Sequence, residues 1–158
     1  MTLAHPFTHW GGTWRGDGQG EYPTIEGFSY TEELFIEVVP ARSLAHWRSR
    51  TRDAGTGDPR HAESGFLRST PGGIELVVAH SFGIVEVAAG TFDGVVLNLT
   101  SEGLGRTATA KQVDRVERRY ELVDDTIVYA TSMAATGVAL THHLQATLRR
   151  LSSVGARQ

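Results

Sequence analysis

The placement of glycine constrains this chain most. Turn signals recur at Asp17-Gly18, Glu26-Gly27, the loop Asp53 to Pro59, Pro71-Gly72-Gly73, Phe82-Gly83, Asp93-Gly94, Glu102-Gly103 and Asp124-Asp125. A turn at positive φ takes glycine, or less often asparagine or aspartate, because a Cβ clashes there. Turn signals roughly 8–12 residues apart are the signature of an all-β sandwich or barrel. The segments between them agree. Ile74–His80, Ile84–Val87, Val95–Thr100 and Thr126–Thr131 are rich in β-branched and aromatic residues. Leu97 and Leu99 share one face of their segment, Asn98 and Thr100 the other.

Two segments are less clear. In Ala110–Tyr120, Val113 and Val116 stand three apart, as in a helix, but the surrounding pattern favours a strand. In Leu140–Leu151 the leucines at 140, 144, 148 and 151 form a helical stripe, while Leu144, Ala146 and Leu148 also alternate with His143, Gln145 and Thr147. Periodicity leaves both readings open. As a strict strand, this segment points His143 away from the leucine face. The expected fold is all-β, a closed antiparallel up-and-down barrel of about ten strands, with an open sandwich as the alternative.

Composition sets the outer bounds. A chain of 158 residues suits one domain, 1–158, with 1–10 and 152–158 expected to be loosely held ends. A net charge of −3 without a basic run gives no field for nucleic acid or an anionic membrane. No apolar stretch reaches the ~18 residues of a membrane span. The N-terminus lacks a basic start followed by an apolar block, so a cytoplasmic protein is expected. With no cysteine there is no disulfide framework, no thiolate nucleophile and no covalent c-type heme attachment.

Few motifs carry chemistry by themselves. Gly12-Thr-Trp-Arg-Gly-Asp-Gly18 matches no phosphate loop and reads as a strand bending at a barrel corner, its tryptophan plugging one end. Of seven histidines, His5 and His9 have helical ligand spacing in the N-terminal segment, and no His-Glu-X-X-His is present. His61 and Glu63 share a strand face, either for acid–base work or as a solvent-facing pair. Ser64 lacks the Gly-X-Ser-X-Gly elbow of a nucleophile.

The ordered set Gly12-X-Trp-X-Gly-X-Gly18, Glu21-Tyr-Pro-Thr-Ile25, Phe28-X-Tyr30-X-Glu-Glu33, His61-Ala-Glu-Ser-Gly-Phe66, Gly83-Ile-Val-Glu-Val87, Met133 and His143-Leu-X-Ala-X-Leu148 resembles the nitrobindin family across nearly the whole chain. The resemblance implies a ten-stranded barrel, distantly like fatty-acid-binding proteins, holding a solvent-exposed, non-covalent ferric heme b. It further implies binding of nitric oxide and isomerisation of peroxynitrite to nitrate.

Carried over by motif, His143 matches the proximal iron ligand and Thr24 a heme-contacting threonine, while Lys111 is a propionate partner. His61 matches a histidine near the pocket of some relatives, and His142 reads as a surface group. A bulge at the start of the last strand, or a strand whose outward face is covered, would reconcile His143 with the leucine face. Two alternatives stay open: a nitric oxide carrier without turnover, which shares this site, and a small-lipophile carrier with an apolar cavity, using interior arginines from Arg115, Arg118 and Arg119.

Overall fold

Alternation decides which side chains enter the interior. In Ile74-Glu-Leu-Val-Val the residues Ile74, Leu76 and Val78 are fully buried, and their neighbours are not. A computed structural model of the protein, describing residues 5–151, shows this period of two in ten antiparallel strands. They are β1 (Gly12–Tyr22), β2 (Ile25–Val38), β3 (Leu44–Asp53), β4 (Pro59–Thr70), β5 (Gly73–His80), β6 (Ile84–Phe92), β7 (Val96–Arg106), β8 (Val113–Val123), β9 (Thr126–Ala135) and β10 (Val138–Arg150). Each pairs with its sequence neighbours, and β10 closes onto β1 from Trp14–Arg150 to Gly20–Leu144. Closure leaves no unpaired sheet edge.

Both ambiguous segments are strands. Val113–Val123 is β8, and the leucine-rich C-terminal stretch is β10. There Leu148 and Ala146 are buried while Leu140 and Leu151 are exposed, so the helical stripe is not used. Pairing with β9 on one side and β1 on the other outweighs the periodicity.

One end of the barrel is plugged. Phe7, Trp10 and Trp14 are buried there, and Phe92 packs against Phe7 and Trp10. The Trp10 indole N–H donates to the Gly94 carbonyl at 2.8 Å, and that of Trp14 to the Trp10 carbonyl at 2.9 Å. Arg150 lies over the Trp14 ring at 4.2 Å. Residues 5–10 are therefore packed into the floor, contrary to the expectation of a loose end; residues 1–4 and 152–158 lie outside the described residues. Gly18 works by close approach. A methyl there would overlap the ring of Tyr30, which fills the interior opposite it.

Candidate functional site

Since the floor is closed, the opposite end is where a ligand has access. It gathers the β1–β2 turn, the β3–β4 loop, the β5–β6 turn, the β7–β8 loop and the β9–β10 turn. Thr24 comes from the β1–β2 turn and Lys111 from the β7–β8 loop, whereas His143 lies within β10, where it meets Glu21 near the end of β1. Thr24 and Lys111 are exposed, and His143 is half-buried. The loop carrying Lys111 is fastened to the rim, since Thr136 donates its backbone N–H to the Gln112 carbonyl at 3.0 Å.

His143 occupies a break in register. Pairing between β9 and β10 shifts between His142–Ser132 and Leu144–Thr131, leaving His143 as the extra residue. Leu144 lies opposite Thr131, which is buried, so His142 pairs with Ser132 on the outer face. The bulge thus removes the conflict of strict alternation, and His142 is half-buried on the outer face. The His143 ring stands edge-on to Tyr22 with centroids 5.3 Å apart. Tyr22 is buried, and its hydroxyl accepts from the Ala135 N–H at 2.9 Å and meets the Met133 carbonyl at 3.2 Å. This bracket spans β10 and ties β1 to β9.

The tautomer of His143 follows from its partner. Its Nδ1 lies 2.9 Å from the Glu21 carbonyl oxygen, which only accepts, so Nδ1 carries the proton and Nε2 keeps its lone pair. Burial pushes the imidazole below its ordinary range, with His142 acting the same way and the Glu21 carbonyl opposing both. A neutral imidazole with its far nitrogen oriented by a carbonyl is the donor a heme iron takes. Ile25 and Leu140, both exposed, lie at the same end of the barrel. The donor set and the rim fit a heme at the mouth. They do not fit one sunk to mid-barrel, where Tyr30, Trp47, Tyr120 and Tyr129 fill the interior.

Below the mouth lies a polar belt the sequence reading missed. Arg118 is buried between Glu63 and Glu86, donating to both oxygens of Glu63 at 2.8 Å each and to those of Glu86 at 2.7 and 3.1 Å. The Trp47 indole donates to Glu63 at 2.9 Å. Burial opposes charge on all three groups, but the Arg118 guanidinium holds both carboxyls below the usual carboxylate range. His80 donates Nε2–H to Glu86 at 2.9 Å and accepts from His61 Nε2 at 2.8 Å. Glu63 is therefore a buried ion-pair partner rather than half of a solvent-facing pair with His61.

A second buried group sits beside the belt: Glu32 accepts from Ser49 at 2.8 Å and from the Tyr129 hydroxyl, which also meets Tyr30 at 2.7 Å. Burial raises the Glu32 carboxyl to about 7.

One signal for this belt was readable: Glu86 sits at an inward position of an apolar strand. Its partners come from β4 and β8, too far along the chain for spacing to connect them. The belt also bears on the lipophile carrier. Arg118 is the interior arginine among the described residues, and two carboxylates already neutralise it; Arg115 and Arg119 are exposed and paired with Glu117 and Glu121. Among the described residues no unpaired interior arginine remains for a fatty-acid carboxylate.

Comparison with known proteins gives concordant results. Residues 4–150 match the model of the THAP4-like, heme-binding β-barrel domain. A protein of Nocardia farcinica named peroxynitrite isomerase is 46% identical over 144 residues, covering 88% of this chain and 85% of that one. One of Mycobacterium ulcerans, named peroxynitrite isomerase 2, is 44% identical over 146 residues, covering 89% and 90%. The crystal structure of Rv2717c from M. tuberculosis superposes with a TM-score of 0.84 at 35% identity, covering 95% of this chain and 99% of that one.

Proposed function

The chain belongs to the THAP4-like heme-binding β-barrel family, the nitrobindins, and on that footing we propose that it holds a ferric heme b at the open mouth through His143 and isomerises peroxynitrite to nitrate there. The observation that carries the site is the bulge at His143, which turns an otherwise outward residue onto the rim with Nδ1 committed to Glu21. Without cysteine the chain offers the heme no thioether link. When bound, it supplies a Lewis-acidic iron that polarises the O–O bond of the peroxynitrite anion.

The chain's own residues do the rest. His143 presents a neutral nitrogen, the Glu21 carbonyl fixes the ring's orientation, and Tyr22 braces the ring from the side. Lys111 would pair with a propionate of the heme, and Thr24 would contact the group. Conversion of ONOO⁻ to NO₃⁻ moves one oxygen to nitrogen, with no proton or electron gained or lost. No acid–base dyad is required at the reacting atoms. The same exposed site admits nitric oxide as a neutral diatomic ligand.

Stopped-flow decay of peroxynitrite, with nitrate and nitrite yields, tests the reading. The hemin-loaded protein is expected to accelerate decay and raise the nitrate fraction, and His143→Ala to lose stoichiometric hemin uptake with an unchanged far-ultraviolet spectrum. Equal decay with loaded and heme-free protein overturns the activity, and undiminished hemin affinity in His143→Ala overturns the ligand.

A further inference from the structure

The wall facing His143 carries a second set of metal donors. Around the barrel β5 stands five strands from β10 in either direction, so His80 and His143 come from diametrically opposed strands at the same end. One donor atom from each of His61, His80 and Glu63 lies within 4.8 Å of the other two. The imidazole nitrogens are 2.8 Å apart, and His80 Nδ1 is 3.5 Å from Glu63 Oε2. We propose that His61, His80 and Glu63 form a binding site for a divalent transition-metal ion of the zinc class, with a donor set distinct from His143.

The protonation pattern is that of a metal site with its outer support in place. His80 gives Nε2–H to Glu86, which is fully buried, so Nδ1 is left with a lone pair aimed at His61. A ligating histidine whose other nitrogen donates to a carboxylate is a recurrent device for fixing ring and tautomer. His61 is half-buried at the rim. Moving its proton from Nε2 to the other ring nitrogen brings two lone pairs to one point without releasing a proton. Glu63 has capacity to spare. Its Oε1 takes Arg118 and Trp47, whereas Oε2 takes Arg118 alone and keeps a lone pair on the side of His80.

Charge and distance agree. Glu63 and Glu86 outnumber Arg118 by one negative charge, which a cation offsets. Tetrahedral zinc with bonds of about 2.0–2.1 Å sets its donors roughly 3.3 Å apart, so the pair at 3.5 Å already fits. The two imidazoles open by about half an ångström, which the rim position of His61 permits. Two imidazoles and one carboxylate select zinc, copper or nickel over magnesium or calcium, and leave a fourth position open to the mouth.

The test is titration of the full-length, hemin-loaded protein with Zn²⁺ by calorimetry, with Co²⁺ absorption reporting coordination. One equivalent is expected to bind. His61→Gln and His80→Gln should each weaken it at least tenfold, and Glu86→Gln, through loss of the outer partner, about tenfold. In parallel, nitrogen-detected spectra of the histidine rings should move for His61 and His80. His143→Ala, tested without heme, should bind Zn²⁺ as the heme-free parent does. His61→Gln changes a rim residue, so its far-ultraviolet spectrum and melting temperature certify the fold even where the His80 variant unfolds. Absence of stoichiometric binding, or binding indifferent to His61→Gln, overturns the site and leaves the histidines as a hydrogen-bonded pair.

Discussion

The Nδ1–H of His143 donates to the backbone carbonyl of Glu21 at 2.9 Å, across the seam where the last strand closes onto the first. The orientation of the candidate iron ligand is thereby tied to barrel closure itself. Next to Glu21, Tyr22 is held by β9 and braces the same ring. Tyr22→Phe keeps the edge-on ring and deletes the hydroxyl that meets Ala135 and Met133. Hemin should dissociate several-fold faster from this variant. Its stability should fall by about 1 kcal/mol, the usual net worth of a buried hydrogen bond. Hemin transfer to apomyoglobin and a urea melt read the two effects separately.

Arg118 neutralises two buried carboxylates at once. Arg118→Met strands both, and removal of one partner from a buried ion pair costs about 3–5 kcal/mol. Restoring neutrality in Arg118→Met/Glu63→Gln/Glu86→Gln should recover much of that loss, because desolvation of the carboxylates is what the single variant exposes. Urea denaturation of the single and triple variants decides it. A triple variant less stable than the single one would show that the arginine acts mainly through packing.

Gly18 faces Tyr30, whose hydroxyl is 2.7 Å from that of Tyr129. A methyl at 18 forces the tyrosine ring away. Gly18→Ala should cost about 1–3 kcal/mol as overpacking, and the added penalty should shrink in a Tyr30→Leu background, where the ring is gone. Additive costs in the double variant, measured by thermal melts, would place the strain elsewhere.

How far the sequence carried the fold is best seen at particular residues. Local signals are legible because they act within a few positions. Asp124-Asp125 is a turn with Asp124 at φ 53°, and the alternation of Ile74, Leu76 and Val78 is an inward face. The strands were readable for that reason. The N-terminal floor was not, since Phe7 and Trp10 are buried by Gly94 and Phe92, more than eighty residues away. The belt escaped for the same reason. Arg118 reads as one of several charges in a polar stretch until β8 is set inside a closed wall opposite Glu63 and Glu86. Even the bulge at His143 was needed to satisfy two patterns, yet only pairing with β9 shows where the extra residue goes.

Glu32 and His61 should bend the pH profile of stability in opposite senses. Burial raises the folded Glu32 carboxyl to about 7 from about 4.5, so between those values the native protein binds more protons than the unfolded chain. Its contribution is complete below about 4.5 and is lost as pH rises to about 7, amounting to about 3 kcal/mol. His61 is pushed down to about 4 from 6.5, chiefly by burial, so its contribution is lost as pH falls through that range. His143 is lowered in the same direction. The carboxylates of Glu63 and Glu86, held low by Arg118, act below this window. Across pH 5–6.5 the opposing slopes of wild type therefore offset one another. Glu32→Gln, which keeps acceptor and shape, removes only the falling component. Its stability relative to wild type should increase steadily with pH and level off above about 7. Urea melts of both heme-free proteins at half-unit steps from pH 5 to 8 measure that difference. A difference that stays constant would mean that Glu32 is ionised throughout, its charge carried by Tyr129 and Ser49.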